Sequence, residues 1–424
     1  MPKLRTHACP TCGAPLPLTP GAVDVRCQYC GNVIHVEWRR PPARQMMPQT
    51  VYVPQRSYAW VIWVIVLTSV VPVLIPLLVF LVPLVFRAAT EVGVVKTSFP
   101  VTCGLNDELT LVAQTYEGTG TLITGEVNCK LRIKDCKLKG DVVILAKNLV
   151  DIALENSELT GKTAAVRIEM NSKLSATGKT SIKGEEAGII AGMNAQVSLE
   201  DSSVEGGEAG IVAQHNCKLT AARSRIIGGE KGLVSGSNLS VDARELTVQG
   251  RDEAIETESN PTLKLRGGTL EGQRFAVRVA SSNAKLDLSH GARVTAKETA
   301  IQTGAVLKLD GEDYVIDGGE VGVDVPSNAT ITLGPKAKIH GGQFGVRTGS
   351  NLELYLRSAS IESESVALCA SSNAQVRARD SSIQGGAGAL RFSRRPDPLE
   401  LPGTRISGAQ QFNARGCSSP GSLR

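Results

Sequence analysis

The sequence predicts a mainly β fold: a right-handed parallel β-helix of about 14 turns of 22–23 residues, with a small N-terminal cysteine-rich module and a single transmembrane helix. Three observations support this prediction. An aliphatic pattern recurs at that period through most of the 424 residues, two Cys-x-x-Cys pairs lie near the N-terminus, and one run of 27 residues is uncharged and apolar.

Composition favours a fold of many short strands joined by turns. The chain has 43 glycines and only 4% aromatic residues, which is unusual for an ordinary compact core. Lys and Arg total 46 and Asp and Glu total 41, a net charge of +5. Seven basic and two acidic residues fall among the first 59, so the rest of the chain is neutral overall. This balance is typical neither of a disordered protein nor of a nucleic-acid binder.

The N-terminal module, residues 1–38, contains two Cys-x-x-Cys pairs with fourteen residues between them. Over residues 7–38 it resembles a bacterial zinc ribbon, with strands expected over 21–26 and 32–37. The resemblance implies one tetrahedral Zn²⁺ on Cys9, Cys12, Cys27 and Cys30, with no open position, and therefore a structural rather than a catalytic metal. Two disulfides or a redox Cys-x-x-Cys remain alternatives, and His7 and His35 are alternative ligands.

A Pro- and Arg-rich segment, residues 39–57, predicts a flexible linker. Residues 58–87 then predict a transmembrane helix, because 60–86 carry no charge and exceed the ~20 residues that span a bilayer. Trp60 and Trp63 suit the membrane interface. A re-entrant hairpin is the alternative.

Basic residues precede this segment, which predicts a cytoplasmic N-terminus and a periplasmic or extracellular β-helix in a bacterial inner membrane protein.

From residue 106 onward each repeat starts at an anchor position, and eleven of the fourteen anchors are Asn. The anchors are Asn106, Asn128, Leu149, Asn171, Asn194, Asn216, Asn238, Asn260, Asn283, Gly304, Asn328, Asn351, Asn373 and Pro396. Three residues after each anchor comes an aliphatic residue: Leu109, Leu131, Ile152, Leu174, Val197, Leu219, Val241, Leu263, Leu286, Leu307, Ile331, Leu354, Val376 and Leu399. Anchor spacings of 21 to 24 predict a solenoid with one inward aliphatic stack.

The anchor Asn residues predict a tight corner, because Asn tolerates a left-handed backbone and stacked Asn side chains can hydrogen-bond from turn to turn. In this respect the chain resembles the right-handed parallel β-helix proteins of the pectate-lyase-like superfamily. The resemblance covers residues 100–415, with a cap over 88–105, the helix over 106–415 and a loose tail over 416–424. It implies architecture and says little about activity.

No catalytic machinery is expected, because the turns are nearly minimal and leave no long loops to wall a groove. The low-probability catalytic candidates are Asp317, His340 and Glu362, predicted to stack on one outward strand face with Arg293 and Lys338 nearby. The plainer interpretation is an exposed face of mixed charge. Ca²⁺ on this face or at Asp310, Glu312 and Asp313 is a further, weaker possibility.

The sequence therefore favours a membrane-anchored β-helix scaffold or interaction protein with a structural zinc ribbon and an unidentified protein or envelope-polysaccharide partner. One alternative is a polysaccharide-binding or polysaccharide-cleaving protein, and a second is a transmembrane sensor that signals through the ribbon. No nucleic acid is expected. The other six cysteines show no pair in register on adjacent turns, which predicts free thiols at Cys103, Cys129, Cys136, Cys217, Cys369 and Cys417.

Overall fold

A computed structural model describes residues 98–414 and Cys417, together with four short strands near the N-terminus. The chain divides into two compact units, Met1–Thr90 and Glu91–Arg424.

The first unit contains two antiparallel strand pairs. His7–Ala8 pairs with Pro15–Leu16, and Asp24–Arg26 pairs with Val33–His35. The second pair falls within the two strands that the sequence predicts here. In the sequence, each Cys-x-x-Cys pair lies between the two strands of one hairpin. The cysteines themselves and the predicted linker lie outside the described residues.

The second unit is a parallel β-solenoid of about 14 turns whose 39 strands form one continuous sheet. Each turn contributes one strand to each of three faces, here called A, B and C in the order in which the chain visits them after each anchor. Every strand pairs in parallel with the equivalent strand of the next turn, as Lys218–Ala222 pairs with the start of Ser240–Gly250. The parallel architecture predicted for this region is therefore confirmed.

Face A consists of Glu108–Val112, Lys130–Lys134, Asp151–Glu155, Lys173–Thr177, Gln196–Glu200, Lys218–Ala222, the first parts of Ser240–Gly250 and Thr262–Gly272, Ala284–Ser289, Val306–Gly311, Asn328–Leu333, Asn351–Arg357, Ala374–Arg379 and Leu399–Glu400. Face B consists of Thr115–Glu117, the first parts of Lys137–Asn148 and Glu158–Met170, Ser181–Gly184, Ser203–Gly206, Arg225–Gly228, the second parts of Ser240–Gly250 and Thr262–Gly272, Ala292–Ala296, Tyr314–Gly318, Lys338–Gly341, Ser360–Ser363, Ser382–Gly385 and Arg405–Ser407. Face C consists of Val101–Cys103, Thr121–Gly125, the second parts of Lys137–Asn148 and Glu158–Met170, Ala187–Met193, Ala209–Ala213, Lys231–Ser237, Glu253–Ser259, Phe275–Val279, Thr299–Thr303, Val321–Val325, Phe344–Thr348, Val366–Ala370, Gly388–Phe392 and Gln410–Phe412.

The predicted fold class needs a correction, because it combined the solenoid with a transmembrane helix. The described part of the chain consists of strands and corners and contains no helix long and apolar enough to cross a membrane. The alternation of inward and outward side chains has a period of two, which suits strands and not helices. Residues 58–87, on which that helix was predicted, lie outside the described residues.

The core is a set of aliphatic columns inside the three faces. The predicted column on face A is buried and in register from Leu131 through Leu286. One turn departs from the prediction: Leu286 pairs with Leu309, and Leu307 pairs with Ala284. Gly304 is therefore not the anchor of that turn. It lies two residues earlier, stacked on Ala280, where a Cβ would come within 2.2 Å of the Ala280 carbonyl oxygen.

With Val306 as that anchor, the fourteen anchors are spaced by 21 to 23 residues and the predicted 24-residue turn disappears. Aligned in this way, Leu309 pairs with Ile331 and completes the inward column. The turn length is therefore more constant than the sequence pattern indicates.

The corner from face C to face A is where the anchor Asn residues lie. All eight anchors from Asn106 to Asn260 have positive φ, including Leu149 at 57°. Asn side chains hydrogen-bond along the axis, as Asn216 Nδ2 donates to Asn194 Oδ1 at 3.1 Å. The predicted left-handed corner and Asn ladder are therefore confirmed for these turns. Asn328, Asn351 and Asn373 continue the side-chain ladder later in the chain without positive φ.

The corner from face A to face B has its own left-handed column, which the sequence does not reveal. Chemically unrelated residues occupy it, among them Ala113, Lys179, Arg223 and Glu245. The residue that follows is often a buried Ser or Thr whose hydroxyl connects two turns. Ser224 Oγ donates to its own turn and accepts the Ser202 backbone N–H at 3.2 Å. A recurring polar–Ser dipeptide was the available signal.

Two disulfides correct the prediction of free thiols. Cys103 is bonded to Cys129 with their Cα atoms 6.0 Å apart, and Cys369 to Cys417 at 5.5 Å. The first joins the opening strand of face C to the next turn, and the second ties a residue beyond the last strand to face C. Neither pair occupies the same repeat position, so in-register alignment missed both. Cys136 and Cys217 are free and buried.

Leu149 occupies a left-handed position with 49% of its surface exposed, so its side chain gains little from burial. Replacing it by Asn relieves backbone strain, and we expect Leu149→Asn to raise the free energy of unfolding by about 1 kcal/mol. The reverse exchange at the same corner, Asn216→Leu, should lower it and also remove two ladder hydrogen bonds. Urea midpoints of the full chain measure both, and a lower midpoint for Leu149→Asn would contradict the assignment.

Each disulfide should protect its own end of the solenoid, because it restricts the unfolded chain across 26 or 48 residues. We expect Cys369→Ser to cost about 2–4 kcal/mol and to raise amide hydrogen exchange in residues 388–414 only. Cys129→Ser is the matched control and should raise exchange in residues 101–134 instead. Uniform loss of protection in both variants would show that the ends do not open separately.

Candidate functional site

The outward side of face B carries one column of side chains along the solenoid axis. Backbone pairing places its members on successive turns in direct register: Glu205, Ile227, Gln249, Glu271, Thr295, Asp317, His340, Glu362 and Gln384. The predicted register of this column is confirmed. Each member comes just before a Gly, Ala or Ser at which the chain bends sharply into face C.

Within this column, Asp317 and His340 form a hydrogen-bonded pair. His340 Nδ1 lies 2.7 Å from Asp317 Oδ1, and their side chains are 40% and 53% exposed. Glu362 is in register with His340 on the next turn. In the described part of the chain, however, no hydrogen bond joins Glu362 to the imidazole. The fold thus joins two of the three low-probability candidates and leaves the third merely adjacent.

A shallow groove of about 710 Å³ follows the corner between faces B and C. Stacked backbone at Gly228, Gly229 and Gly319 contributes to its floor. Arg251 and Lys297 lie among its lining residues together with acidic members of the column. None of the lining residues is aromatic, and no loop rises beside them, so the groove is open and of mixed charge. Such a surface has hydrogen-bonding groups but no walls to exclude water from a reaction.

Face C carries a charge cluster that the sequence analysis missed. Glu253 has a side chain only 2% exposed, and its Oε1 lies 2.9 Å from Arg278 Nη1. Arg278 also reaches Glu256 at 3.2 Å, and Lys231 contacts the same Glu256 carboxylate. Burial raises the pKa of Glu253, while Arg278 opposes the shift and Glu256 adds to it. The guanidinium of Arg278 lies 5.6 Å from the centre of the Phe275 ring.

Further along the same column, Asp324 and Arg347 form a bidentate pair with distances of 2.9 Å and 2.7 Å. Their side chains are 2% and 12% exposed, so this pair is largely removed from water. The Arg347 guanidinium lies 5.2 Å from the Phe344 ring centre. Alternating charge at the repeat period was the signal for this column. Paired and buried charges of this kind fix side-chain geometry and leave little freedom for chemistry.

Metal ligands do not gather anywhere in the described residues: no three His, Cys, Asp or Glu side chains are placed to hold one ion. At the suggested acidic site, Asp310 lies 3.5 Å from Lys308. The four predicted zinc ligands, Cys9, Cys12, Cys27 and Cys30, lie outside the described residues.

The two free cysteines are not reactive nucleophiles. Burial raises the pKa of Cys217 to about 11 and also raises that of Cys136. Both therefore stay protonated near neutral pH, and a thiol is a far weaker nucleophile than a thiolate.

Comparisons with protein-family models, with curated proteins and with solved structures find no match to this chain. The function must therefore be argued from the solenoid itself.

Proposed function

We propose that the chain is a non-catalytic interaction protein whose rigid β-solenoid presents its outward faces to a macromolecular partner. The observation that carries this proposal is the uniformity of the corners. Thirteen successive anchor spacings lie between 21 and 23 residues, so almost no chain is left over for loops that would enclose a substrate. A fold built in this way offers long, flat, ordered surfaces, which suit binding and not enclosed chemistry.

The two disulfides support an oxidising compartment as the place of action. Disulfides persist outside the cytoplasm and are rare within it. Here they fasten the first and last parts of the solenoid, which are the parts without a neighbouring turn on one side. The remaining thiols, Cys136 and Cys217, are buried and thereby shielded from mispairing.

For the first unit we propose a structural zinc site. Two short antiparallel hairpins each carry a Cys-x-x-Cys pair in their connecting segment, which is where a ribbon places its ligands. A module this small has little core, so a metal supplies the folding energy that burial cannot.

The zinc proposal predicts one Zn²⁺ per full-length chain. Elemental analysis after purification without added metal should find it, and Cys27→Ser/Cys30→Ser should remove it because only two ligands remain. Cys217→Ala, which alters a buried thiol in the solenoid, is the control and should keep the metal. Mass spectrometry that finds disulfides at Cys9, Cys12, Cys27 and Cys30 in a metal-free chain would establish the alternative.

The competing function is polysaccharide cleavage on face B with Asp317, His340 and Glu362. Its supporting observation is the 2.7 Å contact between His340 and Asp317, because an oriented imidazole can accept a proton. The openness of the groove and the exposure of both side chains oppose it.

A cleavage screen separates the two functions. Full-length protein, with its disulfides intact, is incubated with acidic polysaccharides, neutral polysaccharides and peptidoglycan, and new chain ends are measured. We expect no turnover above background for the natural chain or for Asp317→Ala/His340→Ala. Cleavage by the natural chain that falls at least about 100-fold in the double variant, the typical contribution of acid–base catalysis, would refute the interaction-protein proposal.

A further inference from the structure

The last passage from face C to face A differs from all earlier ones. In the preceding turns two to four residues separate the two strands, whereas six residues, 393–398, separate Gly388–Phe392 from Leu399–Glu400. This segment, here called the terminal loop, is the longest strand-to-strand connection in the described solenoid. It is the one place where chain rises beside an otherwise bare corner.

The terminal loop is fastened to the solenoid. Pro396 is buried, and the Asp397 backbone N–H donates to the Ala374 carbonyl at 3.0 Å. The Arg395 guanidinium lies 5.9 Å from the ring centre of Phe412 on the final strand. Arg394, Arg395 and Asp397 are exposed, so a fixed loop presents three charged side chains at one end of the corner.

The corner beside this loop is paved by the second Asn ladder. Asn351 Nδ2 donates to Asn328 Oδ1 at 2.6 Å, and Asn373 Nδ2 donates to Asn351 Oδ1 at 3.1 Å. Because an amide has two N–H donors and an oxygen with two lone pairs, each ladder member keeps donor and acceptor capacity to spare. All three side chains are exposed. The ladder repeats its free groups at about 4.8 Å, the spacing of neighbouring strands.

A second row of polar side chains runs parallel to the ladder. Thr330, Glu353 and Gln375 are paired in register on successive turns of face A, two residues after each Asn. Both rows and the terminal loop line one groove of about 590 Å³, here called the amide groove. That volume is in the range of small-molecule sites.

The chemistry of the amide groove selects among ligand classes. Arg394 and Arg395 are offset by Glu353 and Asp397, so the lining carries no formal net charge. In the described residues neither arginine has a carboxylate within ion-pair distance, so both retain free donors. Amides, a hydroxyl, carboxylates and guanidinium groups together provide many directional donors and acceptors and no aromatic or aliphatic floor. A ligand rich in neutral hydroxyl groups matches this lining better than an anion or an apolar molecule.

We propose that the amide groove binds a short neutral oligosaccharide, laid along the Asn ladder with its end against the terminal loop. The inference rests on the proposed function, because it assigns a ligand class to a solenoid that binds without cleaving. It also moves the polysaccharide alternative away from Asp317 and His340, which lie on face B.

Calorimetric titration of the full-length, disulfide-intact chain tests the proposal. The probes are the hexamers of maltose-, cellulose-, xylan- and chitin-type sugars, with hexagalacturonate as the charged comparator. We expect at least one neutral hexamer to bind and hexagalacturonate to bind at least about tenfold more weakly, which corresponds to about 1.4 kcal/mol. No binding by any neutral hexamer, or preference for the charged one, would overturn the proposal.

Variants then locate the site. Arg394→Ala/Arg395→Ala should weaken binding by about tenfold or more, and Gln375→Ala by about threefold to tenfold, the range for one lost hydrogen bond. Gln196→Ala is the matched control, because Gln196 has the same position relative to its Asn eight turns earlier, where no loop rises. Equal affinity in all variants, or equal loss in the control, places the ligand elsewhere and refutes the assignment.

Product analysis of the same titrations keeps the two proposals apart. A hexamer that is bound and recovered intact agrees with both. A hexamer that is shortened, with binding lost in Arg394→Ala/Arg395→Ala, overturns the non-catalytic function while the site assignment survives. Circular dichroism of each variant confirms that the solenoid is folded, as expected for exposed side chains.

Discussion

The constraint on which this structure depends is that successive turns must stay one strand spacing apart at the corners as well as along the faces. Along a face the backbone hydrogen bonds enforce that distance, but at a corner the chain must bend without moving away from its neighbour. Gly229 shows how tight this is: a Cβ there would lie 1.8 Å from the carbonyl oxygen of Gly207 on the preceding turn. The Asn ladder and the buried Ser hydroxyls solve the same problem at the other two corners by hydrogen-bonding one turn to the next.

This constraint explains how far the sequence predicts the fold. Inward aliphatic residues and Asn corners repeat with the chain, so the parallel solenoid and the face B column followed from counting residues. The corner between faces A and B was invisible because a left-handed φ is set there by the neighbouring turn, and residues as different as Ala113, Arg223 and Glu245 accept it. Gly304 was taken as an anchor because glycine suits a corner, but the Leu286–Leu309 pairing shows that the turn continues for two more residues.

The candidate sites divide in a similar way. Asp317 and His340 share a repeat position, so their proximity could be predicted, although their exposure could not. The disulfides and the buried pair of Asp324 and Arg347 depend on which outward positions are covered, and a one-dimensional period carries no information about cover. The amide groove depends on a departure from the period, namely the extra residues of 393–398. In a repetitive fold the regular part is predictable and the function is more readily sought where regularity ends.

The ends of the solenoid bring these points together. Interior turns are held from both sides, whereas the first and last turns have a neighbour on one side only, so their opening limits the rod. Cys103–Cys129 and Cys369–Cys417 restrict the two ends covalently. The terminal loop and the amide groove lie within reach of the second of these restrained ends, since Phe412 packs near Arg395 a few residues before Cys417. A binding site gains from such a restraint because its polar groups are ordered before the ligand arrives, and less conformational entropy is lost on binding. The disulfide that stabilises the last turns therefore also preorganises the groove beside them, so reduction of Cys369–Cys417 should weaken oligosaccharide binding even where the rest of the solenoid remains folded.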